Sequence, residues 1–243
     1  MKTARILAHA SLALTCLTVG VAHADPGYFN YRHQFLDESR LHSDRILLGV
    51  VLDNGLGLEG ELKWKTGGSR QDVAFDNTVG SGHEFTVDYA YKLSPKWTLT
   101  PVAVLDSDEN ATAYKAGLKL SYRVNDQLSV SGRYRYEVRK LERSQLDPEV
   151  PDRAKQDQHT HRYDTYVGYA PGGRWSYEYN LTYYNSDYVR YDYKKHDYEQ
   201  NLAFRYKWSQ NWRPFFEVGD TKVNSTEDKR QARWRVGIHY VFD

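Results

Sequence analysis

Between residues 128 and 140 the chain reads LSVSGRYRYEVRK. On an extended backbone Leu128, Val130, Tyr134, Tyr136 and Val138 fall on one side, and Ser129, Ser131, Arg133, Arg135, Glu137 and Arg139 on the other. Alternation of this kind has the period of a strand and not of a helix. It recurs in segments of about ten residues. Apolar or aromatic files run through Phe29, Tyr31, Phe35; Ile46, Leu48, Val50; Leu58, Leu62, Trp64; Phe85, Val87, Tyr89; Trp97, Leu99, Leu105; and Tyr114, Leu118, Leu120. After the 128–140 segment they resume at Tyr163, Val167, Tyr169; Trp175, Tyr179, Leu181; Tyr198, Leu202, Phe204; Trp212, Phe216, Val218; and Trp234, Val236, Ile238. The pattern predicts twelve strands, an even number.

Every second connection in this pattern is short and rich in residues that turn tightly: Asp53-Asn54-Gly55, Ser94-Pro95-Lys96, Asn125-Asp126-Gln127, Pro171-Gly172-Gly173 and Ser209-Gln210-Asn211. Longer polar links lie between them, notably 66–80, 141–158, 186–197 and 220–229. Short turns alternating with longer loops predict an all-β fold, a twelve-stranded antiparallel transmembrane β-barrel with short periplasmic turns and longer extracellular loops. Both termini then fall on the periplasmic side. A soluble β-sandwich would also alternate, but sandwich cores are usually aliphatic, and this chain has 21 tyrosines.

Hydropathy averaged along the chain does not detect such a barrel, because only alternate residues meet lipid. The one long apolar run is at the start. Lys2 and Arg5 precede an apolar stretch over 6–21, and Ala22-His23-Ala24 fits a cleavage pattern, so residues 1–24 read as a signal peptide and 25–243 as the barrel domain. The single cysteine, Cys16, lies within that leader, which leaves no disulfide to place. Loss of Lys2 and Arg5 moves the formal charge from +1 to −1. Only the distribution of charge can then point to partners.

Arg or Lys facing the bilayer midplane costs roughly 2 to 4 kcal/mol each, so the basic file of 133–139 must line the interior. The same register assigns Arg32, Arg45, Lys63, Lys65, Lys115, Lys119, Arg123, Arg133, Arg135, Arg139, Arg162, Arg205, Lys207, Arg213, Arg233 and Arg235 to the lumen. Glu59, Glu61, Glu84, Asp88, Glu137, Asp164, Glu178, Glu199 and Glu217 join them and could pair across strands. Basic positions are nonetheless in excess, and Arg133-x-Arg135 and Arg233-x-Arg235 set like charges side by side. The expectation is an anion-selective pore with a ladder of cations for a ligand bearing repeated carboxylates.

Other motifs carry less. Residues 55–60, GLGLEG, spell the glycine fingerprint of a dinucleotide site, but the alternating 61–65 that follows predicts a strand where that site needs a helix. His159-x-His161 places two imidazoles on one strand face without further ligands nearby in sequence. No catalytic constellation, metal, cofactor or nucleic-acid partner is expected.

Five stretches, 31–48 (YRHQFLDESRLHSDRILL), 55–64 (GLGLEGELKW), 128–140, 204–220 (FRYKWSQNWRPFFEVGD) and 230–242 (RQARWRVGIHYVF), resemble the KdgM-type family of oligogalacturonate-specific porins. The resemblance implies a monomeric barrel in the outer membrane of a Gram-negative bacterium. Two tracks of Arg and Lys would pass acidic oligosaccharides, with outer-membrane lipid as the other partner. On the matching stretches it points first to Arg32, Arg45, Arg133, Arg135, Arg139, Arg213, Arg233 and Arg235. Oligogalacturonates from pectin breakdown are the expected ligands, and alginate or sialic acid oligomers the alternatives; an outer-membrane hydrolase or receptor is the reading from another class. The chain departs from the usual aromatic terminus by adding Asp243 after Phe242.

Overall fold

A computed structural model describes residues 27–68, 70–141 and 157–242. The proposed leader, most of the 141–158 link and Asp243 lie outside the described residues. The elements are β1 (Gly27–Leu36), β2 (His42–Val51), β3 (Leu56–Thr66), β4 (Thr78–Tyr89), β5 (Tyr91–Lys92), β6 (Trp97–Ser107), β7 (Ala111–Arg123), β8 (Leu128–Leu141), β9 (Gln158–Tyr169), β10 (Trp175–Ser186), β11 (His196–Tyr206), β12 (Trp212–Lys222) and β13 (Arg230–Val241).

Consecutive strands pair antiparallel around the whole sheet. The ring closes where β1 meets β13, from Tyr28 opposite Val241 to Leu36 opposite Arg233. Both β4 and β5 pair with β6, at Asp88 opposite Val102 and Tyr91 opposite Leu99, so they are two pieces of one stave. At the break between them the Ala90 amide donates to the Gly55 carbonyl at 2.8 Å. The result is a closed barrel of twelve staves, and every backbone ladder finds a neighbour within the sheet, as lipid requires. Most staves have 10 to 14 residues, enough to cross an outer membrane at a tilt.

All five periplasmic connections are short, and most are held by one repeated device. The Asn125 side chain accepts from the amides of Gln127 and Leu128 at 2.9 and 2.8 Å. Ser94 does the same for Lys96 and Trp97, and Ser209 for Asn211 and Trp212. Gly55 takes a positive φ of 93°, which only glycine adopts without strain. Two connections on the outer side, 37–41 and 108–110, are equally short. Asp108 closes the second by accepting from Asn110 and Ala111 at 2.7 and 2.9 Å.

The outward face is the apolar one. Leu62 is 57% exposed and Leu118 46%, while Glu61 and Arg135, one residue removed in parity, are 8% and 7%. Three cross-strand Trp–Tyr pairs mark the periplasmic rim: Trp97 with Tyr122, Trp175 with Tyr206, and Trp212 with Tyr240. Their ring centroids are 4.5 to 4.8 Å apart. Amphipathic rings at this level form the interfacial girdle of an outer-membrane barrel.

Candidate functional site

The inner wall carries charge because the outer wall cannot. Arg32 on β1 faces Arg45 on β2, which faces Lys63 on β3. Across the lumen, Lys119 on β7 faces Arg133 on β8, and Arg135 faces Arg162 on β9. Since β8 lies six staves from β1 in either direction, these two basic groups stand on opposite walls. Arg205, Arg213, Arg233 and Arg235 extend the first group along β11 to β13.

Most of these cations have a carboxylate partner. Arg45 contacts Glu61 at 2.6 Å, Lys63 contacts Asp106 at 2.9 Å, and Lys115 contacts Glu84 and Asp106 at 2.9 and 2.8 Å. Asp164, with its side chain wholly covered, collects Arg133 Nε at 2.9 Å, Arg162 Nη2 at 2.8 Å and the Thr182 hydroxyl at 2.7 Å. Arg135 contacts Glu137 at 2.7 Å, Arg205 contacts Glu178 at 3.1 Å, Arg233 contacts Glu199 at 3.0 Å and Arg235 contacts Glu217 at 3.2 Å. The expected repulsion within Arg133-x-Arg135 and Arg233-x-Arg235 is therefore relieved by acids: Asp164 and Glu217 from neighbouring strands, Glu199 from β11 two staves away, and Glu137 from the same strand. Arg139 sits at the outer end of β8, 3.4 Å from Asp108.

Arg32, Lys65, Lys119, Arg123, Lys207 and Arg213 have no carboxylate within 4 Å among the described residues. Arg123 and Lys207 are exposed at the periplasmic end, Lys207 one residue beyond β11. Lys65 is half-buried near the outer end of β3. Lys119 and Arg133 lie over the Tyr166 ring at 4.8 and 5.7 Å, and cation–π attraction of this kind partly compensates for a missing acid. Arg213 lines a cavity of about 350 Å³ with Asn30, Arg45, Arg205, Phe215, Glu217 and His239. Phe215, which lines the same cavity, packs against Gly237 on β13, where a Cβ would come within 2.4 Å of its ring. Arg32 stands among Arg45, Arg235, Glu61 and Glu217.

Several wall residues were not read from sequence. Asp106 lies one step beyond the apolar file ending at Leu105, on the opposite face, and reading the inward positions of that strand as well would have found it. Tyr166 and Tyr184 were hidden because tyrosine also fills the outer face. Residues 56–66 form β3, so the glycine run 55–60 opens a strand. His159 and His161 face outward and share hydrogen bonds with the hydroxyls of Tyr136 and Tyr134 at 2.7 and 2.8 Å.

A family profile described as oligogalacturonate-specific porin protein (KdgM) matches residues 18–242. The chain belongs to this family. Among its relatives, the uncharacterized protein YiiY of Salmonella typhimurium is 32% identical over 228 residues, covering 93% of this chain and 95% of the other. The oligogalacturonate-specific porin KdgM of Dickeya dadantii is 29% identical over 216 residues, covering 88% and 90%. A solved structure of KdgM porin in complex with disordered oligogalacturonate is 26% identical and superposes with a TM-score of 0.65, over 89% of this chain and 99% of that one. As a KdgM-family barrel, the chain is an outer-membrane porin. Its wall combines acid-partnered cations with a few that have no carboxylate within 4 Å among the described residues.

Proposed function

We propose that the chain is a monomeric channel for passive diffusion of acidic oligosaccharides across the outer membrane, with oligogalacturonates as its ligands. It acts after residues 1–24 are removed, and it performs no bond chemistry. One observation carries the reading. Arg32, Lys119 and Arg213 stand on the inner wall with no carboxylate within 4 Å among the described residues, beside Arg45, Arg235, Arg133 and Arg205, which each share their charge with an acid. A ligand carboxylate meets uncompensated charge at these positions, and planar guanidinium forks suit it at the arginines. The strands fix the spacing: neighbours on adjacent staves are about 4.8 Å apart and alternate residues on one stave about 7 Å, so a flexible polyanion finds its next cation before releasing the last. The likeness to a porin solved with oligogalacturonate favours that sugar among acidic ones.

The test is conductance in planar bilayers. Reversal potential in a salt gradient should show anion selectivity, and trigalacturonate should block the current while neutral maltotriose does not. A cation-selective pore indifferent to the acidic sugar would reject the proposal.

A further inference from the structure

The 187–195 connection between β10 and β11, at the outer mouth, carries Arg190. Arg190 turns inward and lays its guanidinium over the ring of Tyr184, 4.1 Å from the centroid, while Arg162 from the wall approaches the same ring at 5.2 Å. Tyr184 is buried and its register partner is Arg162, so Arg190 reaches the lumen's own basic wall. Its Nη1 donates to the Tyr188 hydroxyl at 2.7 Å. Nε is buried with no acceptor. Among the described residues no carboxylate lies within 4 Å of Arg190.

The loop that presents it is tied down at several points. The His159 amide donates to Asp187 at 2.9 Å, and the Asp187 amide donates back to the His159 carbonyl at 3.1 Å. Lys222 donates to the Arg190 carbonyl, and the Arg190 amide donates to Lys194 O at 2.8 Å. Tyr191 reaches the Asp228 carbonyl, and the Tyr193 amide reaches the Ser225 carbonyl at 3.2 Å. Arg190 is thus held in place before any ligand arrives, which lowers the ordering cost of binding.

We propose that Arg190, with Arg162 behind Tyr184, forms the first docking site at the outer mouth for the carboxylate of an incoming acidic sugar. The proposal rests on the channel reading above and adds where transit begins. Tyr184 and Tyr188 fix the face and one edge of the guanidinium. Nε is enclosed, so the Nη2 end is left for the anion, and a carboxylate seated there meets a charge that no acid within 4 Å among the described residues shares. From this site the wall continues inward through Arg162 to Arg133 by way of their shared partner Asp164.

The test uses the mature protein and its Arg190→Gln and Arg190→Lys variants, each verified as folded by its heat-dependent gel mobility. Single-channel block by trigalacturonate is recorded with sugar added to each compartment in turn. Arg190→Gln is expected to slow the rate of block by roughly tenfold from the loop side, with little change from the other, because a rim charge acts mainly on association. Arg190→Lys should recover that rate but shorten each blockade, since an ammonium keeps the charge and lacks the fork. An unchanged rate in Arg190→Gln, an equal loss from both sides, or blockades as long in Arg190→Lys as in the parent would each overturn the site while leaving the channel reading intact. A parent channel that trigalacturonate blocks from neither side would overturn both.

Discussion

Replacing Lys119 by glutamine removes a positive charge that no acid within 4 Å of it balances, and its size as an effect can be worked out. Across a water-filled lumen, a permeating ion roughly 8 Å away feels about 0.5 kcal/mol from one charge at a dielectric of about 80. Screening at 0.1 M salt reduces this to about 0.2 kcal/mol, whereas at 0.01 M about 0.4 kcal/mol survives. Removing the charge disfavours anions and favours cations by the same energy, so the factor enters the permeability ratio twice. The anion-to-cation ratio should therefore fall about twofold at 0.1 M and about fourfold at 0.01 M.

Asp164→Asn is the counter-experiment. It removes a negative charge and leaves Arg133 and Arg162 less compensated, so the ratio should rise. Reversal potentials of the two variants and the parent, measured at both salt levels, provide the assay. Lys119→Gln forfeits the contact with Tyr166, worth about 0.5 to 1 kcal/mol, which is too little to unfold a barrel. Folded variants whose ratios stay equal, or shift in the same direction, would refute the idea that net lumen charge sets selectivity.

Three further outcomes are expected. Leu118→Arg puts a charge on the lipid face of β7 and should cost roughly 2 to 4 kcal/mol in urea unfolding from vesicles. Phe215→Ala should raise single-channel conductance by opening the cavity that this ring shares with Arg205 and Arg213. Gly237→Ala forces a methyl to 2.3 Å from the Tyr31 carbonyl oxygen and 2.4 Å from the Phe215 ring, and overpacking of this kind should lower stability by roughly 1 to 3 kcal/mol in the same unfolding assay.

The barrel was legible because lipid and water leave opposite marks on alternate residues. A misplaced arginine on the outer wall is costly, so the files of 46–50, 114–120 and 234–238 could not be disguised. The turns were legible for a related reason, since Asn125, Ser94 and Ser209 each accept two backbone amides where they stand. Which cations carry acids was not legible. Along one strand, Arg133 and Arg135 are two like charges. Only the ladder shows that Asp164 on β9 serves Arg133 and Arg162 together, and that Asp106 on β6 bridges Lys63 and Lys115. Arg190 left no periodic trace because a loop has no inward or outward parity, and its position comes from contacts with β9, β12 and the neighbouring loop.

Under the proposed function, the pairing would let such a wall transport rather than trap. A file of bare guanidinium groups would attract a polyanion at every step by several times thermal energy, and the ligand would enter and remain. Conduction needs sites favourable enough to be entered and weak enough to be left. When Glu61 already occupies Arg45, or Glu217 occupies Arg235, a ligand carboxylate gains only the difference between two similar ion pairs. Each exchange is close to neutral, and the wall becomes a series of shallow wells. On the proposed function, Arg32, Lys119 and Arg213, with no carboxylate within 4 Å among the described residues, would be deeper stations within that series. Making one more such station is not expected to speed transport. Glu217→Gln, which frees Arg235, should lengthen blockades by trigalacturonate while lowering net sugar flux into vesicles. A rise in both would mean that the lumen acids merely dilute charge and do not regulate release.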